Sequence, residues 1–155
     1  MDSQATSGVR IFPPLIHLAA IGAGFLLEWV LPVRLGSGWS ISRIAGCVLL
    51  AVALGLIASA ENIMFRAGTT PNPTRPTTAI VTAGPFRFTR NPMYLAWEII
   101  CIAAGLSGNT LWPVLMAFPA AVVTGRVVID KEERYMEQKF GAAYLDYKSQ
   151  VRRWI

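Results

Sequence analysis

The chain has 155 residues, 54% of them hydrophobic and only 15% charged, with 14 Lys and Arg against nine Asp and Glu. A water-soluble domain usually carries about 25% charged residues; here the charge is gathered into short basic stretches between long uncharged ones, which excludes an ordinary soluble domain. The net charge of +5 comes from Lys and Arg that flank apolar segments, so anionic lipid headgroups account for it and nucleic acid is not an expected partner.

The first apolar run, 11–32, carries one charge, Glu28, and the only histidine, His17. Twenty-two helical residues reach about 33 Å, enough for a hydrocarbon core. Pro13 and Pro14 suit its first turn. Residues 1–9 lack Lys and Arg, and the run is longer than a signal-peptide core, so it reads as a retained helix. A short loop, 33–40, with Gly36 and Gly38, leads to a second span, 41–65, which has Arg43 at one end and Glu61 near the other. Residues 66–92 hold five prolines, four arginines and no acid, which predicts a loop. Two shorter apolar segments follow, 93–107 and 111–128, joined by the turn Gly108-Asn109-Thr110. From Asp130 the chain is charged with helical period: Asp130 and Arg134 stand four apart, as do Met136 and Phe140, before Gly141 interrupts. Cys47 and Cys101 lie in separate apolar runs with no CxxC and no adjacent histidine; both read as small core residues, with neither a disulfide nor a metal site expected.

The reading is one all-α integral membrane domain over 1–155 with about four transmembrane helices. It divides into two spans (1–65), a loop (66–92), a helical hairpin (93–128) and a helical tail (129–155). With four spans, one face receives Arg10, Arg66, Arg75, Arg87, Arg90 and seven more Lys and Arg from Arg126 onward, while the other has Arg34 and Arg43. The positive-inside rule then puts both termini, the loop and the tail in the cytoplasm, in all expectation at a bacterial inner membrane.

The loop and the tail carry the candidate chemistry. In GPFRFTRNPMYL, 84–95, Asn91-Pro92 is a helix start: Asn caps, and Pro fits the first helical position. The free N–H groups there attract an anion, and Arg87 and Arg90 add charge. Asn91, Tyr94 or Leu95, and Glu98 share one helical face, and Glu132-Glu133 stand in the tail. Taken singly each has a plainer role: helix start, lipid phosphate contact, interfacial aromatic, solvated helix. Their density favours a site. Asp130, Arg134 and Glu137 read as a solvated, salt-bridged face, His17 as a satisfied interior group, and Glu61 as pairing with Arg66 or reaching to the interface.

Four ordered pieces carry a resemblance: MFRAGTT (64–70), NP (72–73), GPFRFTRNPMYL (84–95) and DKEERYMEQKFGAAYLDYKSQVRRWI (130–155). Together they resemble the bacterial branch of the isoprenylcysteine carboxyl methyltransferase family, which is related to the phospholipid N-methyltransferases. The resemblance implies a membrane-embedded methyltransferase that uses S-adenosyl-L-methionine, releases S-adenosyl-L-homocysteine and has no Rossmann domain. The sequence itself has no Gly-rich strand-to-helix loop. The family's RHPxYxG pattern falls on Arg90, Asn91, Pro92, Tyr94 and Ala96, with Asn91 in place of histidine and Ala96 in place of glycine. Its paired glutamates fall on Glu132 and Glu133. The implied cofactor-binding set is Arg87, Arg90, Asn91, Pro92, Tyr94, Glu132, Glu133 and Tyr144, with the tail capping the cofactor. Glu133, Arg90 and Glu98 are the catalytic candidates. Asn91 has no acid–base chemistry at neutral pH, so it serves by hydrogen bonding or capping.

The acceptor stays open at this point. It is a lipophilic or small membrane-accessible carboxylate, amine or thiol, with phospholipid N-methylation as the runner-up. A carboxylate needs a cation to place it, an arginine such as Arg90; an amine needs a base, for which Glu133, Glu98 and Glu61 are candidates. The reading from another class is a non-catalytic four-helix membrane protein that binds lipid or a partner, kept in view by Asn91.

Overall fold

The computed structural model describes residues 6–9, 11–36, 39–72 and 75–155, with the backbone alone at Trp39. Arg10, Gly38 and Pro73, each used in the reading above, lie outside what is described. The elements in order are α1 (Pro14–Val30), α2 (Trp39–Arg66), a 3₁₀ turn (Gly84–Arg87), α3 (Pro92–Ser107), α4 (Trp112–Thr124), a π turn (Gly125–Ile129), α5 (Asp130–Phe140) and α6 (Ala142–Gln150). Among the described residues there is no strand, only an isolated antiparallel bridge between Arg34 and Thr110.

Two helices are long and apolar enough to cross a membrane: Ser40–Arg66, of 27 residues, and Trp112–Phe140, of 29. The other apolar helices, α1 and α3, have 17 and 16 residues. The second long helix corrects an expectation. The sequence suggested a span ending at 128 and a separate tail helix; instead α4, the π turn and α5 run on without a break. The change at Asp130 is one of polarity, and no proline stands between Thr124 and Phe140 to end the helix. Pro119 sits within α4 without ending it. The other boundaries follow local chemistry. Pro14 opens α1, Pro92 opens α3, and Gly141 separates α5 from α6 at φ 56°, a conformation glycine adopts without strain.

The chain packs as two compact units. One consists of Phe12–Gly55 and Tyr94–Thr124 and is called the apolar unit here; the other consists of Met1–Ile11, Leu56–Met93 and Gly125–Ile155 and is called the polar unit.

In the apolar unit α1 packs on α4, and small residues let the backbones approach. A Cβ on Gly24 would lie 2.7 Å from Pro113 Cα. Gly46 of α2 plays the same part against α3, where an added Cβ would come within 2.8 Å of the Ala103 carbonyl oxygen and would also strike Ser107. Such contacts are how helices associate where lipid removes any hydrophobic drive. Polar groups are paired across the unit. His17, fully buried, places Nε2 2.8 Å from Glu98 Oε1, linking α1 to α3. Glu28 Oε2 accepts from the Val33 N–H at 2.9 Å and from the Thr110 hydroxyl at 2.7 Å. Trp112 Nε1 donates to the Leu31 carbonyl at 2.7 Å, and Asn109, at φ 51°, donates from its side chain to Gly36 O at 3.0 Å. Glu28, to which the sequence assigned no role, thus ties the α1–α2 link to the α3–α4 turn. Cys101 is buried as expected, but Cys47 is exposed, so it is not a core residue.

The polar unit holds the proline-rich loop and the tail. Thr78 closes part of the loop on itself, its hydroxyl donating to Gly68 O at 2.6 Å and its N–H to Thr69 Oγ1 at 3.1 Å. The Thr77 N–H donates to the Tyr135 hydroxyl of α5 at 3.3 Å.

Replacing Gly24 by Val forces the α1–α4 crossing apart and is expected to cost about 1–3 kcal/mol. A thermal melt in detergent checks this. Gly22→Val is the control, since nothing lies within 4 Å of a Cβ there; equal melting points for the two variants would contradict the close crossing.

Candidate functional site

Glu133 is the centre of the polar unit. It follows Ile129 by one helical turn, so the two side chains share the inward face of α5, and Glu133 is only 4% exposed. Three cations meet its carboxylate. Arg153 grips it with two bonds, Nε to Oε1 at 3.1 Å and Nη2 to Oε2 at 2.7 Å. Arg90 Nη2 lies 3.2 Å from Oε1, and Lys148 Nζ 3.4 Å from Oε2. Forked arginine–carboxylate pairs of this kind fix direction as well as charge.

Arg153 does more than neutralise. Its Nη1 reaches Asp130 at 2.8 Å, while its carbonyl oxygen accepts from the Thr89 hydroxyl at 3.1 Å and the Asn91 side-chain amide at 2.9 Å. The neighbouring Arg152 carbonyl accepts the Arg90 N–H at 3.0 Å. The last residues of the tail are therefore strapped to the segment that starts α3. Lys148 pairs with Glu137 at 2.6 Å. The expected side-chain pairing of Asp130 with Arg134 is not what forms. Arg134 Nε donates to the Asp130 backbone carbonyl at 3.0 Å, and the Asp130 carboxylate goes to Arg153 instead, which brings it near the Glu133 cluster.

Arg90 is the group with chemistry left over. Its side chain is 9% exposed, and Nε and Nη1 are buried with no hydrogen-bond partner among the described residues. Two unpaired nitrogens on a buried cation, with three N–H groups between them, are costly, and they are donors for an oxyanion. Beside this cluster are two tyrosines of α6, Tyr144 and Tyr147, with ring centres 6.1 Å apart. The Tyr147 hydroxyl donates to Phe86 O at 2.8 Å; burial, against the opposing pull of Arg90, pushes its pKa up to about 12. Burial raises Tyr144 as well, the Glu133 charge adds to that, and Arg90 counters it. Both phenols are therefore neutral hydrogen-bonding groups at physiological pH.

Of the residues singled out in the sequence, Arg90, Asn91, Glu133 and Tyr144 fall together in this cluster. Pro92 is buried at the start of α3, Glu132 is half-buried on α5, and Arg87 is exposed in the 3₁₀ turn. Tyr94 and Glu98 belong to the apolar unit, both buried. Glu98 there has His17 on Oε1, while Oε2 has no partner among the described residues. Sequence reasoning missed Arg153, Lys148 and the inward turn of Asp130. The one available signal was the basic ending of the tail, and spacing does not say which of Arg152 and Arg153 turns in.

Residues 41–143 match the family model for phospholipid methyltransferases, and the chain belongs to that family. Membership implies methyltransferase activity, and with the two long apolar helices it makes this a membrane protein. An uncharacterized protein of Haemophilus influenzae is 42% identical over 65 residues, which are 41% of this chain and all of that protein. No solved structure matches the chain.

Two outcomes follow. Glu133→Ala strands the buried Arg90 guanidinium and is expected to destabilise the protein by about 3–5 kcal/mol, read as a lower melting point; an unchanged melt would show that the cations do not depend on this carboxylate. The second concerns alkaline pH. Tyr147 is raised by burial and Lys148 is raised chiefly by its hydrogen bond to Glu137. The folded state holds both protons more tightly than the unfolded chain. Their contribution is full below about pH 10, the ordinary range of these groups, and is lost as pH rises toward the folded values. Melting points should fall above pH 10, and Tyr147→Phe should show a shallower fall; identical slopes would remove Tyr147 from the cause.

Proposed function

We propose that the chain is an integral membrane methyltransferase that uses S-adenosyl-L-methionine and methylates a lipophilic acceptor. Among acceptors, the family favours a phospholipid amine over the carboxylate of the isoprenylcysteine branch. The observation that carries the reading is Arg90: a buried guanidinium with two nitrogens left unpaired among the described residues, inside a family of methyltransferases. The residues fit the cofactor. Arg90 would take the carboxylate of its amino-acid end, Asn91 and the start of α3 would add hydrogen bonds, and Glu132 and Tyr144 would complete the seat, with the tail as its cover. When bound, the cofactor supplies a sulfonium methyl group.

The chain's own residues orient and exclude water, which is most of what methyl transfer requires. Glu133 has its lone pairs occupied by Arg153, Arg90 and Lys148, so its part is to hold Arg90 in place. Glu98, in the apolar unit, keeps one oxygen without a partner among the described residues, and the acceptor's base is left to the acceptor's identity. In the membrane we propose four spans, with α1 and α3 crossing beside the two long helices. The charge of the loop and tail keeps those segments, and both termini, on the cytoplasmic side.

The test is calorimetric binding of S-adenosyl-L-homocysteine to the detergent-purified protein. Wild type should bind in the micromolar range, and Arg90→Gln should weaken binding about 10- to 100-fold, the worth of one charged hydrogen-bonding group. Radiolabel from the methyl donor should then appear in extracted phosphatidylethanolamine. A folded, lipid-supplemented sample that binds nothing would sink the proposal. Label in small carboxylates instead would move the acceptor to the other branch.

A further inference from the structure

The net charge is not shared between the units. The Asp, Glu, Lys and Arg of the apolar unit are Glu28, Arg34, Arg43 and Glu98, two of each sign. The described part of the polar unit carries eleven Lys and Arg against six Asp and Glu. Its excess of five therefore equals the net charge of the whole chain.

Within the polar unit the two signs are also sorted by depth. Asp130, Glu133 and Glu137 are taken up in ion pairs with Arg153, Arg90 and Lys148. Glu61 and Glu132 are half-buried, and Asp146 is the one fully exposed acid among the described residues of this unit. The exposed cations include Arg66, Arg75, Arg87, Lys131, Lys139 and Arg152. The internal salt bridges thus take up three of the six acids, and exposed cations outnumber exposed acids on the accessible surface.

Large apolar side chains are exposed beside these cations. Phe65, 62% exposed, precedes Arg66, and Phe88, 76% exposed, follows Arg87. An aromatic ring beside an arginine suits the boundary between acyl chains and headgroups: the ring enters the apolar layer and the guanidinium reaches phosphate. A basic surface next to a bilayer attracts lipids whose headgroups carry net negative charge, at short range and in a salt-dependent way.

We propose that the surface of the polar unit binds anionic lipid, the phosphatidylglycerol class, in preference to zwitterionic lipid. This contact is separate from the methyl acceptor, which in the reading above is zwitterionic, and it does not depend on catalysis. Nucleic acid, the other polyanion, lacks an apolar layer for Phe65 and Phe88.

The experiment uses the full chain in detergent, with phosphatidylglycerol or phosphatidylcholine added, in low salt and in 0.5 M salt. Retained lipid is read by native mass spectrometry and the melting point is followed in parallel. Phosphatidylglycerol should be retained about tenfold over phosphatidylcholine and should raise the melting point further. High salt should remove most of the preference. The variant Arg66→Gln/Arg75→Gln/Lys131→Gln/Arg152→Gln should retain both lipids alike, with an unchanged melt in phosphatidylcholine. Equal retention of the two lipids by wild type overturns the proposal, as does a preference that 0.5 M salt leaves intact; neither result needs the variant to fold. A 20-nucleotide single-stranded DNA that displaces the bound phosphatidylglycerol would also overturn it, since the surface would then accept any polyanion.

Discussion

Glu133 is a carboxylate withdrawn from water, and such a group costs several kcal/mol unless cations and hydrogen bonds surround it. The polar unit is arranged around that requirement. Arg153 comes from the last residues of the tail, Lys148 from α6, and Arg90 from the segment just before α3. Meeting one carboxylate brings in residues 15 to 43 positions from Glu133 in the chain. The backbone follows: Arg152 and Arg153 offer carbonyls to Arg90, Thr89 and Asn91. One consequence is chemical. With Nη2 committed to Glu133, the Arg90 guanidinium is fixed in orientation, and its remaining donors are what a ligand oxyanion would meet. Another is electrostatic, because acids turned inward leave exposed cations in excess of exposed acids.

The apolar unit solves the same problem with fewer charges. Ionisable groups among apolar helices need partners close at hand, and Glu98 and Glu28 have them: His17 for one, Thr110 and the Val33 N–H for the other. The two buried glutamates that the sequence offered as catalytic therefore differ in kind. Glu133 is saturated by cations and acts as a support. Glu98 has a single partner and one oxygen in reserve.

Much of the fold was legible because it rests on local rules. Apolar runs gave the helices, Asn91-Pro92 gave the start of α3, and Gly141 gave the break between α5 and α6. The join of α4 to α5 was misread, since a change in polarity looks like a boundary while the backbone needs none. At the site, Arg90, Asn91 and Glu133 were visible through their resemblance to a family motif. Arg153 was not, because a salt bridge over 20 residues leaves no periodic trace. Helical spacing likewise suggested Asp130 with Arg134, but the fold brings Arg153 within reach, and a guanidinium already holding Glu133 can take a second carboxylate with its free edge. His17 and Glu98, 81 positions apart, illustrate the same limit.

The most direct measurement on the Glu133 cluster as a cofactor seat is amide hydrogen exchange, with and without saturating S-adenosyl-L-homocysteine. Segments 89–91, 130–137 and 151–155 should gain protection together, since the strap between Arg90 and the tail and the face carrying Glu133 would close on the same ligand. Protection confined to other helices, with these three segments exchanging as before, would contradict a site at Glu133 and Arg90.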